Sequence, residues 1–231
     1  MSVTGIVAAL TAEARTLGPV RANQINILRD GSLLTISGMG PQAAARAALA
    51  LVGAGARSLL SFGLAGALDP GLPAGAILFP VAVTDETGAV HRTCDAWRER
   101  LAARAGAGAE CHGGTLLSLA QPLVTRSAKS EAWGRTHACA VDMESFAIGA
   151  VAMQERIDFA VARVVVDTAM DSLPRSVTRA TDARGEVHYP RLVSGLLRSP
   201  GDMLALLRLA RRYRMAMRTL RHLGRYGVAM S

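Results

Sequence analysis

Three segments of this chain carry carboxylates where an α/β protein could use them. Glu13 follows the apolar stretch Gly5-Ile6-Val7-Ala8-Ala9, Asp142 and Glu144 flank Met143 at the start of a helical stretch, and Asp167 closes the apolar run Phe159–Val166. The carboxyl ends of strands form the ligand crevice of open α/β sheets, so acids placed there are better candidates for work on a ligand than acids on helix faces. Structural roles compete with that reading. Asp142 suits a helix N-cap, Glu144 a helix-dipole contact and Asp171 an ordinary loop position, and for Asp142 and Asp171 the structural role is preferred.

Two glycine-bearing turns accompany these acids. Ser37-Gly38-Met39-Gly40-Pro41 ends a strand and opens a helix, where backbone N–H groups can approach a polar ligand closely. In Phe62-Gly63-Leu64-Ala65-Gly66-Ala67-Leu68-Asp69-Pro70, small residues after a strand let a flat ring or a sugar lie against the backbone. Neither turn is a GxGxxG fingerprint or a P-loop, and each alone is equally explained by close strand–helix packing.

The elements that must position these residues alternate along the chain. Short apolar, β-branched runs predict strands at Gly5–Ala9, Asn26–Leu28, Leu33–Ser37, Ser58–Phe62, Ile77–Val83, Gly114–Leu117 and Phe159–Val166. Alanine- and leucine-rich stretches predict helices at Pro41–Gly53, Asp95–Ala105, Met143–Gln154, Arg191–Leu197 and Asp202–Leu223, with Pro41 harmless in a first helical turn. The alternation points to an α/β fold, and 231 residues fit one domain spanning the whole chain. Leu173–Pro190 is polar and irregular and reads as a surface loop or lid.

The formal charge is +8, and Lys129 is the only lysine. No acidic residue follows Asp202, whereas Arg208, Arg211, Arg212, Arg214, Arg218, Arg221 and Arg225 crowd the final segment. There Leu206, Leu209, Tyr213, Met217, Leu220 and Leu223 approximate one apolar stripe, so a basic amphipathic helix is expected at about residues 202–224. Packing on the sheet and peripheral contact with a membrane surface are equally compatible with it. No nucleic-acid motif accompanies the charge, and no nucleic-acid partner is expected.

No apolar run is both uncharged and about 20 residues long, as a membrane span requires. The start of the chain lacks a basic segment ahead of its apolar stretch, so a cytoplasmic location is expected, with peripheral contact at the inner membrane as an extension. Cys94, Cys111 and Cys139 form no CxxC pair and read as reduced thiols, with neither a disulfide framework nor a metal site expected.

Taken together, the ordered motifs resemble the nucleoside phosphorylase superfamily, and in particular its nucleosidase branch of methylthioadenosine/S-adenosylhomocysteine nucleosidases. The resemblance runs from Gly5 to about Asp171. It rests on Gly5–Ala9 with Glu13, Ser37-Gly38-Met39-Gly40, Gly63-Leu64-Ala65-Gly66 with Pro70 and Gly75, Val141-Asp142-Met143-Glu144, and Arg163-Val164-Val165-Val166-Asp167. It implies a three-layer α/β/α fold on a central twisted mixed sheet, a homo-oligomer, an adenosine-derived substrate and no cofactor. In such enzymes the transition state approaches a ribosyl cation. The resemblance makes Asp167 the acid that protonates purine N7, Glu144 the holder of the ribose hydroxyls with Met143 packed on the sugar, Glu13 the general base on water, and Arg163 the residue that orients that water and carboxylate.

A phosphorylase of this superfamily would place arginine where this chain has Ser61, so water is the expected nucleophile. The resemblance also places Leu64, Ala65, Gly66, Leu123 and Val124 against the substrate. Leu64 and Val166 stand where the familiar nucleosidase has serines, and the adenine-stacking segment, here Ala120-Gln121-Pro122-Leu123-Val124, has no aromatic. An apolar, open pocket beside a cationic amphipathic helix is similar to the hopanoid-associated members of the superfamily, which implies a lipid-like 5′ substituent on the adenosine, as in adenosylhopane.

Overall fold

A computed structural model of the chain describes residues 3–106, 111–172, 202–225 and 228, with the backbone alone at 111 and 202–206. Its elements, in chain order, are β1 (Thr4–Ala8), α1 (Thr11–Ala14), β2 (Asn26–Ile27), β3 (Leu33–Ile36), α2 (Pro41–Gly53) and β4 (Ser58–Ala67). There follow β5 (Ile77–Leu78), β6 (Ala82–Thr84), β7 (Val90–Arg92), α3 (Asp95–Ala105), β8 (Cys111–His112) and β9 (Thr115–Ser118). The last group is α4 (Arg126–Thr136), β10 (Ala140–Asp142), α5 (Ser145–Glu155), β11 (Asp158–Asp167) and a long C-terminal helix, α6 (Asp202–Arg225). The helix expected at Arg191–Leu197 and the loop expected at Leu173–Pro190 lie outside the described residues.

Strands β1, β4 and β11 are buried on both faces, as sheet strands covered by helices must be. Successive side chains therefore enter two different cores. Val7, Phe159, Val161 and Val165 join the buried residues of α2 and α5, while Ile6, Ala8, Ala160, Ala162 and Val164 join those of α1, α3 and α6. Helices on both faces of one sheet give the three-layer α/β/α architecture expected from the motifs.

The sheet has 11 strands and is mixed. One path runs β2-β3-β1-β4-β10-β9-β6-β7, and β11 lies against β4, with β5 and β8 beyond it. β4 is the hub. Its first half pairs in parallel with β1, β11 pairs with it in parallel from Ser58 to Gly66, and its last two residues pair with β10 in antiparallel fashion. The sheet thus divides around the end of β4, where Gly66 faces both Asp167 and Val141.

Three expectations about the elements need correction. Ile77–Val83 is not one strand, because Pro80 has no N–H for a ladder and the chain breaks there into β5 and β6, which join different neighbours. Ser58–Phe62 does not end in a turn; β4 continues through Gly63 to Ala67, since the small side chains let β11 pair alongside. In the final helix Met217, Leu220 and Leu223 are buried, but Tyr213, placed on the same apolar stripe, is exposed. Among the described residues no helix is long and apolar enough to cross a membrane.

α6 is anchored through its buried stripe and through the chain just beyond it. Trp97 of α3 is fully buried, and its indole N–H donates to the Val228 carbonyl at 3.1 Å. Trp97→Ala leaves a large cavity and an unpaired carbonyl at this junction. It is expected to lower the unfolding free energy by about 3–5 kcal/mol, read from the midpoint of urea denaturation.

Candidate active site

The three sequence-selected carboxylates are buried in the structure, and two of them are organised by one arginine. Arg163, in the middle of β11, is 1% exposed. Its Nη2 donates to Ser61 Oγ at 2.8 Å and pairs with Asp142 Oδ2 at 2.6 Å, and Glu144 Oε2 stands 3.6 Å away. Its Nη1 donates to the Leu64 carbonyl at 3.3 Å. Ser145 Oγ donates to Asp142 Oδ2 and is hydrogen-bonded to Ser61 Oγ at 2.8 Å. Asp142 accepts from the Ser145 backbone N–H as well, but the N-cap position of α5 is Glu144, so Asp142 supports the helix start from two residues earlier and serves as an ion-pair partner.

Glu13 reaches this group from α1. Its Oε1 accepts from the Leu64 N–H at 2.9 Å and its Oε2 from the Leu10 N–H at 3.0 Å. Glycine at position 63 is required here by space, since a Cβ would lie 2.6 Å from both Glu13 Oε1 and Arg163 Nη1. Burial raises the proton affinity of Glu13, and Arg163 and the two backbone donors oppose it.

Glu144 lies at the start of α5 with Met143, half-buried, beside it. The Gly40 N–H donates to Glu144 Oε1 at 2.9 Å, which ties the first glycine turn to the second acid cluster across 104 residues of chain. Gly40 holds φ +97°, a conformation that favours glycine. Burial pushes Glu144 up to about 7, with Arg163 pulling down and Asp142 pushing further up.

Asp167 is held differently. A bulge at Val166 brings Asp167 opposite Gly66, and a Cβ on residue 66 would lie only 3.1 Å from Asp167 Oδ1. Oδ2 pairs with Lys129 Nζ, which also donates to the Thr168 carbonyl at 2.9 Å. Lys129 is 1% exposed. Burial raises the proton affinity of Asp167, and the Lys129 charge and hydrogen bond lower it. Asp171 accepts from the Thr168 N–H at 2.8 Å and from its hydroxyl, and pairs with Arg212 of α6. It is a loop acid with a structural task, as the sequence indicates.

Glu13, Glu144, Arg163, Leu64, Ala65, Gly66 and Asp167 thus converge around the carboxyl ends of β4 and β11. Leu123 packs with Leu68, Leu117 and Val141, and half-buried Val124 follows it just before α4. Sequence reading misses Lys129, Ser61 as an Arg163 partner, Ser145, and Tyr213, whose partly exposed phenol is pushed up by partial desolvation and by the Glu13 charge. One signal is present for Lys129: it is the single lysine in an arginine-rich chain.

The family model of the phosphorylase superfamily matches residues 14–197, and the chain belongs to that family. No curated protein matches the sequence. Solved structures share its fold at low identity. A mutant 5′-methylthioadenosine/S-adenosylhomocysteine nucleosidase of Helicobacter pylori, with 5′-methylthioadenosine in its active site, has 16% identity and TM-score 0.68, covering 86% of this chain and 99% of its own. The corresponding Neisseria meningitidis nucleosidase, in complex with methylthio-immucillin-A, has 20% identity and TM-score 0.68, covering 86% and 100%. Futalosine hydrolase of Helicobacter pylori has 13% identity and TM-score 0.67, covering 96% and 97%.

The site has a thermodynamic signature. Glu144 binds its proton more tightly folded than unfolded, so the folded chain holds more protons between pH 4.5 and about 7, and stability falls as pH rises through that window. Glu144→Gln removes this contribution, which is on the order of 1 kcal/mol for each pH step of that window. The loss of urea midpoint between pH 5 and pH 7.5 is expected to be smaller in the variant than in the wild type.

Proposed function

We propose that this chain is a purine nucleosidase that hydrolyses the N-glycosidic bond of a 5′-substituted adenosine and releases adenine. The observation that carries the reading is the pair of unlike carboxyl environments along Gly63–Gly66. Glu13 sits over Gly63 and Asp167 over Gly66, three residues on and about 10 Å away at the rise of a strand. That separation accommodates a ribosyl purine with a base at one end and an acid at the other.

In this mechanism Asp167, kept proton-rich by burial, donates to purine N7, so that adenine departs neutral. Glu144 accepts from the ribose hydroxyls with Met143 against the sugar, and its negative charge favours the developing ribosyl cation. Glu13 takes the proton of the attacking water, and Arg163 holds the carboxylates around that water in place. Leu64, Ala65, Gly66, Leu123 and Val124 line the substrate. The Arg163 charge near Ser61 is already matched by Asp142 and Glu144, which supports water rather than phosphate as nucleophile. No cofactor takes part.

The 5′ substituent of this reading is apolar, as in conversion of adenosylhopane to ribosylhopane. Support comes from Leu64 in place of a serine, and from α6, which presents exposed Leu207 and Met215 among its arginines. The same face supports peripheral contact with the inner membrane from the cytoplasm, and the chain acts as a homo-oligomer.

Incubation with adenosylhopane and with methylthioadenosine, each with and without phosphate, tests the reading by chromatography of adenine and the sugar product. Adenine and free ribosylhopane are expected without phosphate. Release only from methylthioadenosine would sink the lipid substrate, and ribose 1-phosphate formation dependent on phosphate would sink hydrolysis. Asp167→Asn is expected to reduce kcat by about 10²–10⁴-fold.

A further inference from the structure

We propose that Lys129 is a positioning residue for the acid: it pins Asp167 Oδ2 so that Oδ1, lying over Gly66, is the oxygen offered to the leaving base. The inference rests on the nucleosidase reading for its chemistry, and on geometry for its placement. α4, which begins at Arg126 under a Thr125 cap, delivers the ammonium from a different part of the chain.

The choice of residue is informative. Lys129 is the single lysine among 26 basic residues, and it is used against the acid. A guanidinium is a broad planar fork, whereas an ammonium is compact and fits between one carboxylate oxygen and the Thr168 carbonyl. Burying an ammonium is costly, so a lysine that is 1% exposed is retained only where its partners hold it firmly. Among the described residues the opposite oxygen has no hydrogen bond of this kind, and it lies nearest the space that Gly66 leaves open, where a Cβ would be 3.1 Å from Oδ1 and 3.4 Å from Oδ2.

The pin also sets how readily the acid gives up its proton. Burial alone would keep Asp167 neutral and reluctant, and Lys129 opposes that effect. The other charges facing Asp167 are Asp171, which acts with burial, and Arg212 of α6, which acts with Lys129. These two are paired to each other, so Lys129 supplies the charge that is free to act on Asp167.

The test compares the wild type, Lys129→Met, Lys129→Arg and Asp167→Asn. The carboxyl of Asp167, labelled with ¹³C and assigned by its loss in Asp167→Asn, is titrated by NMR alongside the pH profile of adenine release. In Lys129→Met the carboxyl is expected to titrate about one to three pH units higher, and the alkaline limb of kcat/KM to move up with it. Plateau kcat is expected to fall by up to about 100-fold, because the carboxyl is no longer aimed. Lys129→Arg keeps the charge and is expected to leave the limb near its wild-type position. A folded Lys129→Met whose titration and limb do not move overturns the proposal. If circular dichroism shows that variant unfolded, Lys129→Gln is read in its place against the same two outcomes. Absence of adenine release by the wild type, with a shifted carboxyl titration in Lys129→Met, would instead overturn the nucleosidase reading and leave the pin intact.

Discussion

The site depends on one guanidinium removed from water. Arg163 sits at the centre of a strand buried on both faces, where an unmatched charge would cost several kcal/mol. Its solution is a ring of partners from neighbouring elements or their ends: Ser61 and the Leu64 carbonyl in β4, Asp142 at the end of β10, Glu144 and Ser145 at the start of α5, and Glu13 from α1 by charge alone. These partners hold neighbouring strands and helix ends to fixed positions. They also explain why residue 63 has no side chain, since the space beside β4 is filled by Arg163 and Glu13.

A single cation shared among three carboxyls cannot neutralise all of them. Burial therefore wins at Glu13 and at Glu144, whose proton affinities rise despite Arg163. Asp167 is kept out of that group and given a lysine of its own. The fold thus separates its acids into two electrostatic compartments joined by the Gly63–Gly66 stretch. Burial raises the proton affinity of Asp167 as well, so the compartments differ in their cation and not in the direction of the shift.

Much of this is legible in the sequence because the carboxylates sit at strand ends, and strand ends are marked by apolar runs that stop. Glu13, Glu144 and Asp167 are visible for that reason, as are the helices with strong alanine and leucine content, whereas Arg163 lies mid-strand and is read only through the family resemblance. What escapes is set by tertiary pairing. β10 has three residues and β7 three, too few for a period to show, and they exist because neighbours bond to them. α4 is polar around most of its circumference, so no apolar stripe announces it, yet it carries Lys129. Ser61 is read by what it replaces, and its partnership with Arg163 depends on β4 and β11 being in register, which no local pattern encodes.

The C-terminal helix joins the site to the rest of the molecule. Its apolar stripe is consumed by the core through Ala216, Met217, Leu220 and Leu223, so the helix is held as part of the layer over β11. From that layer Arg212 pairs with Asp171, Asp171 bonds Thr168, and the Thr168 carbonyl receives Lys129. The loop after the acid is thereby fixed from both sides, by α6 and by α4. Packing on the sheet is one of the two roles the α6 sequence allows, and one of its arginines is committed to the loop that follows Asp167. The charge that remains, on Arg208, Arg211, Arg214, Arg218, Arg221 and Arg225, faces water. Helix packing and surface charge are therefore two faces of one element, and the packed face keeps the acid's loop in place.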